Sequence, residues 1–267
     1  MNQNLMAHKK NRPTRPAKSK NVSKKNNPQK GTFFIFGKHP VMAALKNQSR
    51  EKIRLLATAQ GKSRVIDSFG EDLCIPIEIV DSDRIKVLVE TDSPHQGLAL
   101  EVRNLPGLHL ESIATIVTEG KNIILALDQV TDPHNIGAIM RSAAAFNVKA
   151  VLTTDRNSPP ETGVLAKIAS GALDIIPWIR VVNLSSALEE LADKGFWRVG
   201  LDGCAEKSIS EIDAGNNIVL ILGSEGKGMR EGTQKKCDFL VKLPISDKVE
   251  SLNVSNAAAV ALYELGK

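Results

Sequence analysis

What the chain lacks narrows the reading first. No apolar run in the 267 residues approaches the roughly 18 needed for a membrane-spanning helix. Cysteine is scarce: Cys74, Cys204 and Cys237 lie far apart. That spacing fits neither a disulfide framework nor a zinc site, so reduced thiols and a cytoplasmic setting are expected. Acids are missing altogether from residues 1–30, where nine Lys and Arg sit. The same stretch has almost nothing apolar, so burial cannot offset the entropy of ordering it, and disorder is expected. It lacks a hydrophobic core of the secretory kind. It is also Lys-rich and without amphipathic pattern, unlike an organellar transit peptide. Nine of the 35 basic residues lie there, which leaves 26 against 30 acids, a net of −4, in the rest of the chain. A basic arm of this type is either a nucleic-acid tether or a solubilising tail.

The folded part is organised around its last fifty residues. Ile218–Gly223 (IVLILG) is a buried-strand pattern that runs straight into Ser224–Met229 (SEGKGM). Glycine reaches positive φ and has no Cβ, so such a turn lets backbone approach a ligand closely. It is not a P-loop, because Gly228 and Met229 follow Lys227 where a hydroxyl for magnesium is required. Nor does its G-x-x-G-x-G spacing match the dinucleotide fingerprint. Taken alone, it is equally a tight turn after a core strand. Phe239–Pro244 (FLVKLP) reads as a second strand, and SLNVSNAAAVALYE as a small-residue helix that Ser251 is placed to cap. Two strand ends and a helix start would line one crevice, where open α/β sheets bind ligands.

Upstream, residues 127–148 (LDQVTDPHNIGAIMRSAAAFNV) supply the deciding stretch. Asn135, Gly137 and Arg141 form N-x-G-x-x-x-R. Gly223, Glu225, Gly226 and Gly228 form G-x-E-G-x-G, and Ser251–Ser255 reads SLNVS. In this order the three resemble the signature motifs of the SpoU/TrmH-type RNA ribose 2′-O-methyltransferases of the SPOUT superfamily. The resemblance spans roughly residues 33–265 and is nearest the RlmB-like branch that modifies guanosine in large-subunit rRNA. It implies a methyltransferase domain with a deep trefoil knot and S-adenosyl-L-methionine as cofactor. The cofactor would be held by Leu222, Gly223, Glu225, Gly226, Gly228, Leu243, Pro244, Ser251, Leu252 and Asn253. Catalysis would rest on Asn135, Arg141, Glu225, Ser251 and Asn253. A homodimer is implied, and no metal.

The remaining pattern is strand–helix alternation. Residues 31–104 describe a small α/β sandwich, which resembles the RNA-binding domain at the N-terminus of this branch. Its FGKHPVMAAL and HQG (His95–Gly97) segments carry that likeness. Ten Lys and Arg balance ten Asp and Glu between residues 31 and 105, so RNA must be recognised there by local geometry. Lys38 and His39 are the candidates, with an exposed loop Lys and a structural His as the plain alternative. Residues 105–118 carry turn residues and read as a linker. In residues 119–267 the runs NIILALD, KAVLTTD, IIPWIRV and FWRVGLD alternate with the helix-like stretches NIGAIMRSAAAF, ETGVLAKIASGAL and LSSALEELADKG. This pattern predicts a mostly parallel sheet with helices on both faces.

Methyl transfer to a ribose hydroxyl is an in-line displacement, so alignment carries much of the catalysis, about 7–11 kcal/mol in favourable cases. Few titrating groups are needed. Arginine stays protonated, so Arg141 suits a forked phosphate clamp better than a general base. Asp128, Asp132 and His134 are expected to make local turn and capping bonds. Two other readings stay open beside an rRNA methyltransferase. A tRNA ribose methyltransferase shares the chemistry, and a non-catalytic RNA-binding assembly factor shares the fold. A nicotinamide-linked dehydrogenase has the wrong glycine spacing.

Overall fold

The computed structural model describes residues 29–89, 93–112 and 120–267. The basic segment up to residue 28, the end of the expected linker, residues 113–118, and residue 119 lie outside the described residues.

The first unit runs β1 (Thr32–Phe36), α1 (Lys38–Lys46), β2 (Lys52–Ala57), α2 (Ala59–Phe69), β3 (Ile77–Ile79), α3 (Ser82–Val89) and β4 (Leu98–Arg103). Its sheet has the order β1-β4-β2-β3. β4 is antiparallel to both of its neighbours, and β2 is parallel to β3. Helix α2 starts at Ala59, because the Thr58 side chain accepts from Gly61 N–H and caps it. It stops at Gly70, whose φ of 78° no helix continues through.

The second unit runs β5 (Asn122–Asp128), α4 (Pro133–Ala145), β6 (Ala150–Thr154), α5 (Gly163–Ile168), β7 (Trp178–Val181) and α6 (Leu184–Asp193). It continues with β8 (Trp197–Leu201), β9 (Lys207–Ser208), β10 (Asn217–Gly223), α7 (Glu231–Gln234), β11 (Phe239–Lys242) and α8 (Val254–Leu265). The sheet order is β7-β6-β5-β10-β8-β11-β9, and every pairing is parallel. β5 is buried along its whole length and β10 along all but its end residues, as continuous apolar runs require of central parallel strands. Between β5 and β10 the chain's progress across the sheet reverses. Such a switch point leaves a crevice at the carboxyl ends of the strands. The register sets Asp128, the last residue of β5, beside Gly223, the last of β10.

Helices follow the periodicity of their apolar residues. α6 buries Leu184, Ala187, Leu188 and Leu191, and α8 buries Val254, Ala257, Ala258, Ala261, Leu262 and Leu265. The stretch ETGVLAKIASGAL does not form one helix. α5 ends at Ile168, Ser170 and Gly171 turn with φ of 51° and 96°, and a short 3₁₀ turn follows over Ala172–Asp174. That break brings Gly171 against α1, where an added Cβ would lie 3.0 Å from the His39 carbonyl oxygen.

The two units share an ionic joint. Arg50 is only 2% exposed. Its Nη1 donates to Glu161 Oε2 at 2.6 Å and to the Arg103 carbonyl at 2.9 Å, and its Nε donates to Asp174 Oδ1 at 2.8 Å. Glu161 also accepts from Leu105 N–H at 3.2 Å, which ties down the start of the linker. Removing the cation strands two carboxylates, so Arg50→Ala is expected to cost about 3–5 kcal/mol in urea unfolding. Arg50→Lys keeps the charge without the fork and should lose less. A loss for Arg50→Ala no larger than that of a surface pair, below about 1 kcal/mol, would contradict the joint.

Candidate active site

The site is built at the ends of β5 and β10. After Gly223 the chain makes a tight hairpin. Ser224 N–H donates to the Gly228 carbonyl at 3.1 Å, and Gly228 N–H to the Ser224 carbonyl at 2.9 Å. Each glycine of G-x-E-G-x-G has its own cause. Gly226 and Gly228 hold φ of 78° and 66°. At Gly223 the constraint is space, since a Cβ would fall 2.1 Å from the Gly228 carbonyl carbon and 2.2 Å from Met229 N.

Asp128 secures the far end of this loop. Its buried carboxylate accepts from Arg230 N–H at 2.9 Å and Nε at 2.8 Å, and its Oδ1 lies 2.7 Å from Nη2. The sequence reading gave Asp128 a local turn role, and the structure corrects it: the partner is 102 residues away. Asp132 does act locally, capping α4 by accepting from His134 N–H at 2.9 Å. Pro133 occupies the first helical turn, where its missing N–H costs nothing.

Glu225 stands where three segments meet. Its Oε1 accepts from Asn135 Nδ2 at 3.2 Å, from Asn253 Nδ2 at 2.5 Å and from Val254 N–H at 3.2 Å. Asn253 Nδ2 also lies 3.1 Å from Asn135 Oδ1. The carboxylate thus sits at the N-terminus of α8, where exposed amides favour negative charge. Asn253, not Ser251, caps that helix, accepting from Ser255 N–H at 2.9 Å. Ser251 is left exposed in the loop before it.

Beside this network lies a cavity of about 520 Å³. Leu222, Gly223, Glu225, Gly226, Gly228, Leu243, Pro244, Ser251 and Leu252 all line it. Asn253 does not; it faces Glu225 and Asn135 at the rim. The sequence reading missed Leu201, Asp202, Gly203 and Cys204, which line the wall at the end of β8. β8 is hydrogen-bonded between β10 and β11, so its end must open on the same crevice. A second cavity, about 420 Å³, lies between the units and is lined by Leu105, Pro106, Trp178 and Arg180, among others. None of the three motifs reaches it.

The remaining candidates stand apart from the network. Arg141 follows Asn135 by six residues within α4, so the two point about 120° apart around the helix. It is exposed and has no hydrogen-bond or ion-pair partner among the described residues. Gly137 serves packing: a Cβ there would lie 2.8 Å from Ile168 Cγ2 of α5. Lys38 and His39 are exposed at the start of α1 in the first unit. Among the described residues no group of three His, Cys, Asp or Glu is placed to hold a metal. No helix among them is long and apolar enough to cross a membrane. Burial pushes the Cys237 thiol up to about 12, which makes it inert, whereas Cys74 and Cys204 are exposed.

This arrangement has known counterparts. Residues 122–263 match the SpoU rRNA methylase family, and residues 34–107 match the RNA 2′-O ribose methyltransferase substrate-binding family. The chain is 36% identical over 237 residues to the 23S rRNA (guanosine-2′-O-)-methyltransferase RlmB of Pseudomonas aeruginosa, covering 86% of this chain and 94% of that one. It is 33% identical over 256 residues to the uncharacterized tRNA/rRNA methyltransferase slr0955 of Synechocystis, covering 89% of this chain and 63% of that protein. The fold matches the SpoU methyltransferase AviRb of Streptomyces viridochromogenes in complex with AdoMet. That match has a TM-score of 0.74 at 22% identity and covers 88% and 89% of the two chains. The chain therefore belongs to the SpoU family of RNA ribose 2′-O-methyltransferases.

Two substitutions at Asn253 separate its roles. Asn253→Ala loses both the cap, worth about 1 kcal/mol, and the donor to Glu225. Asn253→Asp keeps the cap but sets a second carboxylate against Glu225. Both should lower the thermal midpoint near pH 7, and an unaltered midpoint for Asn253→Asp would show that the Glu225 contact stabilises nothing.

Proposed function

We propose that the protein transfers a methyl group from S-adenosyl-L-methionine to the ribose 2′-hydroxyl of a guanosine in large-subunit rRNA. One observation carries the reading: Asn135, Glu225 and Asn253, from three separated motifs, are hydrogen-bonded together at the rim of one cavity. The cavity suits the cofactor. Its volume lies in the range of small-molecule sites, about 300–1,000 Å³. Gly223, Gly226 and Gly228 keep backbone exposed on one wall, and Leu222, Leu243 and Leu252 supply apolar surface.

Bound there, S-adenosyl-L-methionine supplies a methyl group already activated on a sulfonium. The chain's part is alignment. Glu225 fixes the Asn135 and Asn253 amides; Asn253 is fully used within the network, and the second Nδ2 hydrogen of Asn135 is left to orient a ribose. Arg141 offers a fork to the RNA phosphate beside the reacting sugar, which holds the hydroxyl in line. Arginine cannot take the hydroxyl proton at neutral pH, so the proton passes to solvent or to the substrate's own phosphate.

Support for rRNA over tRNA comes from the substrate-binding match at residues 34–107 and from relatives named for 23S rRNA guanosine. Family membership also supports a C-terminal knot and a homodimer. Exposed apolar surface at Val260 and Tyr263 on α8, with Phe146 edge-on to the Tyr263 ring at 6.4 Å, gives a dimer a face to bury. Residues 1–30 would add non-specific RNA affinity as a basic tether.

Arg141→Lys keeps the charge and loses the fork. A charged hydrogen bond is worth about 1.5–3 kcal/mol, so methylation of protein-free rRNA should fall about 10- to 150-fold with cofactor affinity unchanged. Near-full activity would reject the clamp. Mapping ribose methylation in rRNA and tRNA from a deletion strain should show one guanosine lost from large-subunit rRNA, and a loss confined to tRNA would overturn the rRNA assignment.

A further inference from the structure

Away from the cavity, two segments of the first unit meet a lysine from the second. Gly37 N–H donates to the Leu98 carbonyl at 3.1 Å, and Lys38 N–H to Gln96 Oε1 at 2.9 Å. This brings the FGKHP and HQG stretches together. The Gln96 carbonyl accepts from Arg64 Nη1 at 3.2 Å. His95 Nδ1 accepts from Gly97 N–H at 3.1 Å, and its Nε2 lies 3.2 Å from Ser82 Oγ. The backbone here is unusual: Gly37 has φ of 90°, and Gln96, not a glycine, has φ of 55°. Non-glycine residues in that region carry strain and cluster where function over-determines the structure.

Lys167 of α5 enters this junction from the other unit. A Cβ built on Gly37 would lie 2.6 Å from Lys167 Nζ and 3.3 Å from its Cδ. Gly37 is required by its φ, and its bare Cα leaves room for the end of the Lys167 side chain. Lys167 is half-buried, and no carboxylate or hydrogen-bond acceptor among the described residues pairs with its ammonium. Burial holds its pKa below the usual lysine value. His95 is likewise held low, by burial first and then by the charges of Lys167 and Lys86. A desolvated ammonium with open donors and no counter-ion is stabilised by an anion from outside. Lys38 and His39 are exposed beside it.

We propose that Lys167, with Lys38 and Arg64, forms a phosphate seat spanning both units, on which the RNA backbone is registered against the methyl-transfer site. This rests on the RNA-methyltransferase reading and deepens it. The occupant is a phosphodiester and not a base, because the donors are flexible cations without an aromatic platform among them. Register is transmitted by packing. Ile168, next to Lys167, fills the space over Gly137, two residues from Asn135 on α4. The RNA seat and the Asn135–Glu225–Asn253 network thus stand on two helices locked at one crossing. The Arg50 joint holds the first unit's half of the seat in place.

The test measures binding of protein-free large-subunit rRNA transcript across a salt series, with full-length wild type, Lys167→Gln, Lys38→Gln and Lys167→Arg. Each Gln variant should weaken binding and flatten the slope of log K against log salt by about 0.7–0.9, one phosphate's share. The KM for RNA should rise while affinity for S-adenosylhomocysteine is unchanged. Lys167→Arg should restore most of the slope. A folded Lys167→Gln with the wild-type slope overturns the seat. If that variant does not fold, amine acetylation of the wild type decides: RNA should protect Lys167 and Lys38, and unprotected Lys167 overturns the proposal. Should the wild type bind RNA with this slope yet methylate none, the functional reading fails and the seat stands.

Discussion

The catalytic unit depends on one carboxylate. Glu225 projects from a hairpin that only glycine can close, and its Oε1 gathers donors from α4, from the loop before α8 and from the first amide of α8. A carboxylate at a helix start lies in the helix's own field, which is favourable to its charge. The contact therefore orients two asparagine amides and fixes the start of the last helix at once. Asp128 plays the complementary part beneath it, buried and holding Arg230 so that the hairpin's exit is tied to the end of β5.

Around that contact the sheet does the positioning. Parallel strands β5, β10, β8 and β11 all end on the same side, so the glycine hairpin, the Asp202–Cys204 turn and the Leu243–Leu252 loop share one crevice. The wall is mostly backbone and aliphatic side chains. This suits a reaction whose leaving group arrives preactivated, because what remains is to hold two atoms in line. The first unit extends the same logic to the RNA. It is joined to the catalytic unit by a buried arginine, so a substrate held there keeps a fixed position relative to the reacting atoms.

Much of this was legible in the sequence, for reasons that can be named. Ile123–Leu127 and Ile218–Leu222 are continuous apolar runs, and both became central parallel strands. The glycine pattern, Asn135 and the SLNVS stretch marked the segments of the candidate site through their resemblance to a known family. Strand order was not legible, so the contribution of β8 through Leu201–Cys204 went unseen. The Asp128–Arg230 pair was hidden by 102 residues of separation, and the carboxylates that hold Arg50 lie 111 and 124 residues away from it. Ser251 and Asn253 are both good caps two residues apart, and only the start of α8 at Val254 settles that Asn253 is used. Lys167 sits in a helical stretch that reads as one long helix; the break at Ser170 and Gly171 brings the first unit close enough for the lysine to cross.

The central claim is that the glycine hairpin and the loops facing it form the cofactor pocket. Calorimetric titration with S-adenosylhomocysteine tests it most directly, on the wild type and on Gly223→Ala, whose new methyl would collide with the hairpin's own backbone. The account predicts binding by the wild type and none by a folded Gly223→Ala. No binding by the wild type, or equal binding by both, would contradict it.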